Sequence, residues 1–174
     1  MIRKYVLISL IISCLNFAAQ DPPIKTYDKV DTYGLVHSEW ALVHIGSKVG
    51  FIDSRGVEVV PPIYDHIDMY SLRHDGWAMV KKEGKYGFID LRGKLVVPVI
   101  YDKIDHFDIL IPGFAKVVVN GKIGFINMKG KEVLAPRYDL VEPFGEKFAG
   151  YAHAKIGDRS VYLDVKGKET PSPR

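Results

Sequence analysis

Four aromatic side chains recur at one fixed interval and are the residues best suited to bind a ligand. They are Trp40, Trp77, Phe114 and Tyr151, each 37 residues after the last. Aromatic rings offer flat apolar faces on which a sugar or a peptide side chain can stack, and regular spacing would present them as a ladder. The alternative is that the same rings pack between neighbouring units of a repeat.

Carboxylates recur in phase with these aromatics. Asp53, Asp90, Asn127 and Asp164 each begin an Asp/Asn-x-x-Gly stretch. A calcium site would need several carboxylates close together, and the series includes an amide with no further acids beside it. Capping of a turn needs only one side-chain oxygen, so we predict turn capping. The aspartates of the Tyr-Asp pairs, Asp65, Asp102 and Asp139, are predicted to be turn or backbone caps as well.

The other chemistry-bearing side chains form no recognisable constellation. The six histidines share no spacing apart from His37 and His74, and no Cys/His cluster is present. The serines lack a nucleophile elbow, and the glycine spacing is typical of turns, not of a phosphate-binding loop. We therefore predict no catalytic residue, no metal site and no cofactor.

The first nineteen residues differ from the rest. Arg3 and Lys4 precede the apolar run "YVLISLII", and Ala18 and Ala19 follow it. This order is typical of a secretory signal peptide, 1–19, although a buried N-terminal strand is the alternative. "IISC" also resembles a bacterial lipobox, in which case the signal ends before a lipidated Cys14. No later stretch is apolar enough to be a transmembrane segment.

Composition sets bounds on the remaining chain. A hydrophobic content of 47% is enough for a buried core. Removal of residues 1–19 lowers lysine plus arginine from 24 to 22 against 21 acids, so the net charge falls from +3 to about +1. A nearly neutral domain without a basic run argues against nucleic acid as a partner. Because Cys14 is the only cysteine, the mature chain has no disulfide.

The elements that position these residues repeat every 37 residues. The columns in phase are Gly50, Gly87 and Gly124; Phe51, Phe88, Phe125 and Tyr162; Gly56, Gly93, Gly130 and Gly167; and the Tyr-Asp pairs at 27, 64, 101 and 138. We divide the domain 20–174 into a partial unit 20–36, the repeats 37–73, 74–110 and 111–147, and a partial unit 148–174.

These motifs resemble the WG repeat of bacterial proteins. The second repeat carries "GKYGFID", "LRG", "LVVP" and "YD" in the order typical of that family. The tryptophan that gives the repeat its name is replaced by Val49, Tyr86 and Ile123, whereas the glycine that follows is kept. The resemblance implies a repeat protein with a role in interactions and implies no reaction.

Each repeat is predicted to form three strands. "WAMVKK" and "KYGFID" flank the turn "EG" and indicate a β-hairpin. "DLRG" indicates a second tight turn, after which "KLVV" forms a third strand. Proline donates no hydrogen bond, so Pro61, Pro98 and Pro136 are expected to end that strand.

Such short units cannot bury an apolar face alone, so neighbouring units must stack. In the first strand of each repeat, Ala41 and Val43, and their counterparts, share one face, which is expected to be packed. We predict an all-β fold of tandem 37-residue antiparallel hairpin or meander repeats stacked as an open array. The alternative is a closed, propeller-like ring completed by both termini.

The repeat, the leader and the absence of catalytic spacing predict an exported, non-catalytic binding or scaffolding module at the bacterial cell envelope. Its partner would be a protein or an envelope glycan or peptide, and it would lie in the periplasm or at the cell surface, lipid-anchored if Cys14 is modified. The alternatives are a hydrolase of an envelope polymer and a purely structural spacer.

Overall fold

A computed structural model describes residues 26–71 and 73–172. The predicted signal peptide and Cys14 lie outside the described residues. The described part of the chain contains sixteen strands, all antiparallel to their partners, and no helix. It therefore contains no helix that is long and apolar enough to cross a membrane. The prediction of an all-β fold is confirmed.

The strands form four successive four-stranded sheets, named here sheets 1 to 4, each paired in chain order. Sheet 1 contains β1 (Lys29–Val30), β2 (Trp40–Ile45), β3 (Lys48–Asp53) and β4 (Glu58–Tyr64). Sheet 2 contains β5 (His66–Ile67), β6 (Trp77–Lys82), β7 (Lys85–Asp90) and β8 (Leu95–Tyr101). Sheet 3 contains β9 (Lys103–Phe107), β10 (Phe114–Val119), β11 (Lys122–Asn127) and β12 (Glu132–Tyr138). Sheet 4 contains β13 (Leu140–Val141), β14 (Tyr151–Ile156), β15 (Arg159–Asp164) and β16 (Glu169–Thr170).

The expectation of three strands per unit was wrong. A fourth strand opens each sheet and comes from the residues directly after the Tyr-Asp pair of the preceding repeat. In sheet 2 the backbone N–H groups of Asp65 and Asp68 donate to the carbonyls of Lys81 and Met79 at 2.7 and 2.8 Å. Each sheet therefore spans two sequence repeats, and sheet 2 covers residues 66–101.

The prolines do not end the third strand of the repeat, as was expected. β4, β8 and β12 run through Pro61, Pro98 and Pro136 to a buried tyrosine at each strand end. These strands are at the edge of their sheets, where a missing N–H donor breaks no ladder hydrogen bond. Register shifts in their pairing accompany the prolines.

Gly50, Gly87 and Gly124 are strand residues, as predicted for "KYGFID", although the glycine spacing alone had suggested turns. Each lies inside a strand, beneath the bulged edge strand beside it. A Cβ on Gly87 would lie 2.5 Å from the carbonyl oxygen of Val97 and 3.0 Å from the carbonyl carbon of Pro98. Val161 can occupy the same position in sheet 4 because β16 pairs only with the next two residues of β15.

The core lies between successive sheets. Ala41, Val43 and their counterparts are fully buried, as expected. The opposite face of each of the first three sheets packs too, against the sheet that follows. One cluster joins each pair of sheets, around Phe51 and Ala78, Phe88 and Ala115, and Phe125 and Ala152. The sheets follow one another without closing a ring among the described residues, which agrees with the predicted open array.

Candidate functional site

The carboxylates that precede the x-x-Gly turns cap those turns, as predicted. One oxygen of Asp90 accepts the backbone N–H groups of Arg92 and Lys94, both at 2.9 Å. The amide oxygen of Asn127 accepts the equivalent pair at 2.9 and 3.1 Å. Since a single oxygen makes both bonds, an amide serves as well as a carboxylate. These side chains are committed to the backbone.

The Tyr-Asp aspartates cap backbone groups as predicted, and they also join sheets. Asp65 accepts the backbone N–H of Glu83 in sheet 2 at 2.6 Å, while its other oxygen binds the ammonium of Lys48 in sheet 1. The lysine hydrogen bond is the main cause that holds the pKa of Asp65 below its usual value. Asp102 and Asp139 make the same two contacts at the following junctions.

A further acidic column was not recognised from the sequence. It contains Asp31, Asp68, Asp105 and Glu142, again spaced by 37 residues. Each carboxylate is mostly buried and pairs with two basic side chains, such as His66 and Arg73 for Asp68. The common spacing was the signal that could have found it, and the partners Lys29, His66 and Lys103 share that spacing although they differ in residue type.

The first three members of the aromatic column proposed as a ladder lie between sheets. Trp40 is 7% exposed. Its ring stacks on His37 with 4.0 Å between ring centroids and meets the edge of Tyr70 at 6.0 Å. Trp77 repeats this arrangement with His74 at 3.9 Å and Phe107 at 6.2 Å. Both tryptophans thus fill the space between their own sheet and the next.

The other two members of the column are half-buried. Phe114 packs against the cluster between sheets 3 and 4. It lines a small apolar void there together with Phe125, Phe144 and Leu163. Tyr151 begins β14 opposite Asp164 and lines an open pocket of about 440 Å³ with it. The geometry gives Trp40, Trp77 and Phe114 a packing role, and a ligand-binding role for the column stays a prediction.

A cleft of about 440 Å³ opens between sheets 2 and 3. Its apolar wall contains Met79, Tyr86 and Ile109, and the side chain of Ile109 is 69% exposed. The ammonium of Lys81 lies over the Tyr86 ring, 5.4 Å from its centroid, in cation–π contact. The remaining lining residues are Arg73, Asp102, Lys103, Ile104, Asp105 and His106.

The acidic side chains at this cleft are paired with basic ones. Lys103 and Lys116 both lie 2.8 Å from Asp105. Burial acts to raise the pKa of Asp105, but hydrogen bonds from these two lysines bring it below its usual value. Among the residues that line the cleft, the two cations Arg73 and Lys103 are balanced by the two acids Asp102 and Asp105.

Comparison with protein families identifies the repeat. The family described as WG containing repeat matches residues 50–86, 86–122 and 123–153, which is more than half of the chain. The chain belongs to the WG containing repeat family. A search of curated proteins gives no match.

The two positions that name the WG repeat have distinct places in this structure. The glycine lies under the bulged edge strand of its own sheet. The preceding residue faces the next sheet, and at the junction of sheets 2 and 3 it is Tyr86, in the cleft wall. The sequence did not reveal the cleft because the cleft depends on residues that differ from those of the other repeats in this chain, such as Arg73 and His106.

Proposed function

We propose that this WG-repeat chain is a non-catalytic binding or scaffolding module that is exported to the cell envelope. One observation supports this most directly: the sheet 2–sheet 3 cleft combines recurring residues such as Asp102 with residues that differ between repeats, such as Arg73 and His106. A uniform scaffold with a cleft built from individual residues is typical of repeat proteins that bind a partner.

The chemistry of the cleft favours binding over catalysis. Its carboxylates are held by ammonium groups, as Asp105 is by Lys103 and Lys116, so they are engaged as charge partners. A general acid or base works best with a pKa near the working pH, and the pKa of Asp105 lies below its usual value instead. The exposed apolar wall suits a partner that presents apolar side chains.

Export is proposed on the sequence of residues 1–19 alone. A basic start, an apolar run and small residues before position 20 support cleavage of a leader, and "IISC" supports lipidation at Cys14 as the other route. Mass spectrometry of the mature N-terminus distinguishes the two, since a start near Gln20 carries no lipid. An uncleaved N-terminus in purified envelope and cytoplasm fractions would contradict export.

The binding proposal is tested by capture of envelope components on the immobilised protein. The variant Arg73→Leu/Tyr86→Val borrows residues from equivalent positions in other repeats, Leu110 and Val49, so it should fold normally. We expect it to retain at most a tenth of the specific capture. The control Val49→Ile places the equivalent residue of another repeat, Ile123, at the junction of sheets 1 and 2, away from the cleft, and should capture normally. No specific capture by the wild type would favour a spacer, and release of soluble envelope fragments would favour a hydrolase.

A further inference from the structure

Most of the basic side chains that have no acidic partner lie on one side of the array. In the described residues, eight lysines and arginines have neither an ion pair nor a contact with an aromatic ring. Six of them are exposed and belong to the Asp/Asn-x-x-Gly turns of sheets 2, 3 and 4 or directly follow the turn glycine: Arg92, Lys94, Lys129, Lys131, Lys166 and Lys168. The other two are Lys82 and Lys155. The unpaired charge therefore follows these turns and not the surface in general.

Packing between the sheets places the three turns one behind another. Each turn glycine lies close to a backbone carbonyl of the preceding sheet. Measured from where a Cβ would stand, the distances to the carbonyl oxygens are 2.8 Å for Gly93 and Val59, 2.8 Å for Gly130 and Val96, and 3.6 Å for Gly167 and Val133. The three carbonyls are themselves spaced by 37 residues, so each turn lies over the same point of the sheet before it. Because packed sheets lie about 10 Å apart, the bases recur at about that interval.

The turns and the strands that follow them carry a surplus of positive charge. We name these segments, 90–101, 127–138 and 164–170, the basic side. They contain seven bases and four acids, a surplus of three positive charges. The equivalent segment of sheet 1 has Val57 where the others have lysine, and it has no surplus. Such a concentration of one sign of charge attracts an anionic surface.

The exposed acids at the same end of the sheets lie away from the basic side. Asp75, Asp108 and Glu146 belong to the loops between the first and second strands of sheets 2, 3 and 4. The basic side contains the last strand of each of these sheets, which is the opposite edge from the first. None of the three acids forms an ion pair with the bases of the basic side in the described residues. The positive surplus therefore remains available to a ligand.

The basic side also exposes apolar side chains between its bases. Each turn has one at its tip, directly before a base: Leu91, Met128 and Val165 are 49%, 44% and 57% exposed. The strand after the turn of sheet 2 adds Leu95 and Ile100. A soluble polyanion offers no apolar phase to such side chains, whereas a lipid surface accepts them at the level of its head groups. Bases and apolar tips together favour a membrane surface.

We propose that the basic side binds the surface of a membrane that contains anionic phospholipids. The lysine and arginine side chains contact lipid phosphates, and the tips Leu91, Met128 and Val165 insert among the head groups. Each base close to an anionic leaflet strengthens the attraction about fivefold, and the effect fades within a Debye length. The basic side shares no residue with the sheet 2–sheet 3 cleft, so this inference goes beyond the proposed function and does not depend on it.

Two charge variants test whether the position of the bases matters. Lys131→Gln/Lys168→Gln removes two charges from the basic side. Lys82→Gln/Lys155→Gln is the matched control, because it removes the same charge from the two unpaired bases outside it. The net charge of the two variants is equal, so a difference between them reports the place of the charge alone.

A third variant tests the apolar tips. Leu91→Ser/Met128→Ser/Val165→Ser keeps every charge of the basic side. Its serines are taken from Ser54, the equivalent turn residue of sheet 1, so the fold accommodates them. Thermal unfolding followed by circular dichroism shows whether each variant is folded. If the serine variant were unfolded, the two charge variants would decide the proposal, because neither changes an apolar side chain.

Binding is measured by flotation of the full chain with vesicles, made either of mixed phosphatidylglycerol and phosphatidylcholine or of phosphatidylcholine alone. We expect about tenfold or stronger preference for the anionic vesicles. Raising the salt from about 0.1 M to about 1 M shortens the Debye length from about 10 Å to about 3 Å and should weaken binding about tenfold or more. Lys131→Gln/Lys168→Gln and the serine variant should each bind the anionic vesicles about tenfold more weakly. The matched control should bind as the wild type does.

Three results would overturn the proposal. Equal binding of the wild type to both kinds of vesicle would show that anionic lipid is not recognised, and every variant carries the same residues 1–19, so that segment cannot account for differences between variants. Equal losses in the two charge variants would show that only net charge matters. Undiminished vesicle binding by the folded serine variant, with inorganic polyphosphate bound as tightly as the anionic vesicles, would show that the basic side binds a soluble polyanion instead.

Discussion

The side chain of Asp102 accepts a hydrogen bond from the backbone N–H of Asn120 at 2.6 Å, across a separation of 18 residues. Its other oxygen binds Lys85 of the preceding sheet. One carboxylate thus closes the central hairpin turn of sheet 3 and fastens that hairpin to sheet 2. The same arrangement at Asp65 and Asp139 makes the Tyr-Asp pair the joint between successive sheets.

Replacing Asp102 should separate its two roles. Asp102→Asn keeps an oxygen for the Asn120 N–H and loses the charge that attracts Lys85, whereas Asp102→Ala loses both contacts. We expect the midpoint of thermal unfolding, followed by circular dichroism, to fall in the order wild type, Asp102→Asn, Asp102→Ala. Glu146→Ala, at an exposed position, should have little effect. Equal midpoints for the two Asp102 variants would show that the backbone cap is unimportant.

The stability difference between the wild type and Asp102→Asn should depend on pH. The hydrogen bond from Lys85 is the largest cause that lowers the pKa of Asp102 from 3.8. A lowered pKa gives stability that is present above the unfolded value and lost as the pH falls through the folded value. Urea unfolding should therefore show the full difference at neutral pH and a shrinking one below pH 3.8. A difference that stays constant into acid would contradict the ion pair.

Gly87→Ala should be among the most damaging single substitutions, at about 3 kcal/mol or more of unfolding free energy. The added methyl group would meet the backbone of β8, which cannot move without loss of pairing. Gly113→Ala is the control: its φ of +82° costs about 1–2 kcal/mol, but nothing lies within 4 Å of the new Cβ. Urea denaturation measures both, and equal losses would show that the close approach does not matter.

Phe114→Trp should stabilise the protein by about 1 kcal/mol. At the junction of sheets 2 and 3, the ring of Trp77 lies 3.2 Å from the position that a Cβ on Gly130 would occupy. At the junction of sheets 3 and 4, the equivalent Cβ position on Gly167 has no atom nearer than 3.6 Å, so there is room for a larger ring at position 114. The larger ring fills the void between sheets 3 and 4. Phe125→Trp, at a residue only 1% exposed, should destabilise by about 1–3 kcal/mol through overpacking. A lower melting temperature for Phe114→Trp would contradict this view of the junction.

Stability should decline in alkali as the buried tyrosines ionise. Burial, followed by the charge of Glu132 and its hydrogen bond, raises the pKa of Tyr101 to about 12. A raised pKa gives stability that is complete below the unfolded value of 10 and is lost as the pH rises towards 12. Tyr101→Phe should weaken this dependence without abolishing it, since burial also raises the pKa of Tyr64. Urea midpoints between pH 10 and 12 check this, and an unchanged slope would contradict it.

The sequence predicted those parts of the fold that local chemistry determines. The hairpin turns, the caps at Asp90 and Asn127 and the stacking of units all follow from residue type and spacing. The opening strand of each sheet was missed because two residues such as His66 and Ile67 carry no readable pattern. The course of β8 through Pro98 depends on its edge position, which only the assembled sheet defines.

The cleft could not be predicted for a different reason. Columns of recurring residues predict the contacts that all units have in common. The cleft also depends on residues that are particular to the junction of sheets 2 and 3. Arg73 and Tyr86 stand where the preceding units have the aliphatic residues Val36 and Val49, and His106 takes the place that proline has at position 143. Their convergence requires knowledge of how sheets 2 and 3 face each other.

Each sheet begins at the end of one sequence repeat and finishes in the next. Any stretch of 37 residues therefore contains one full set of strands and turns, whichever residue it begins with. Duplication of residues 66–102 within the gene would encode a fifth sheet with every joint already in place. Deletion of the same stretch would leave an array of three sheets that keeps the contacts between neighbouring sheets. Recombination alone can therefore change the number of sheets one at a time, because the contacts between neighbouring sheets are the same at each junction.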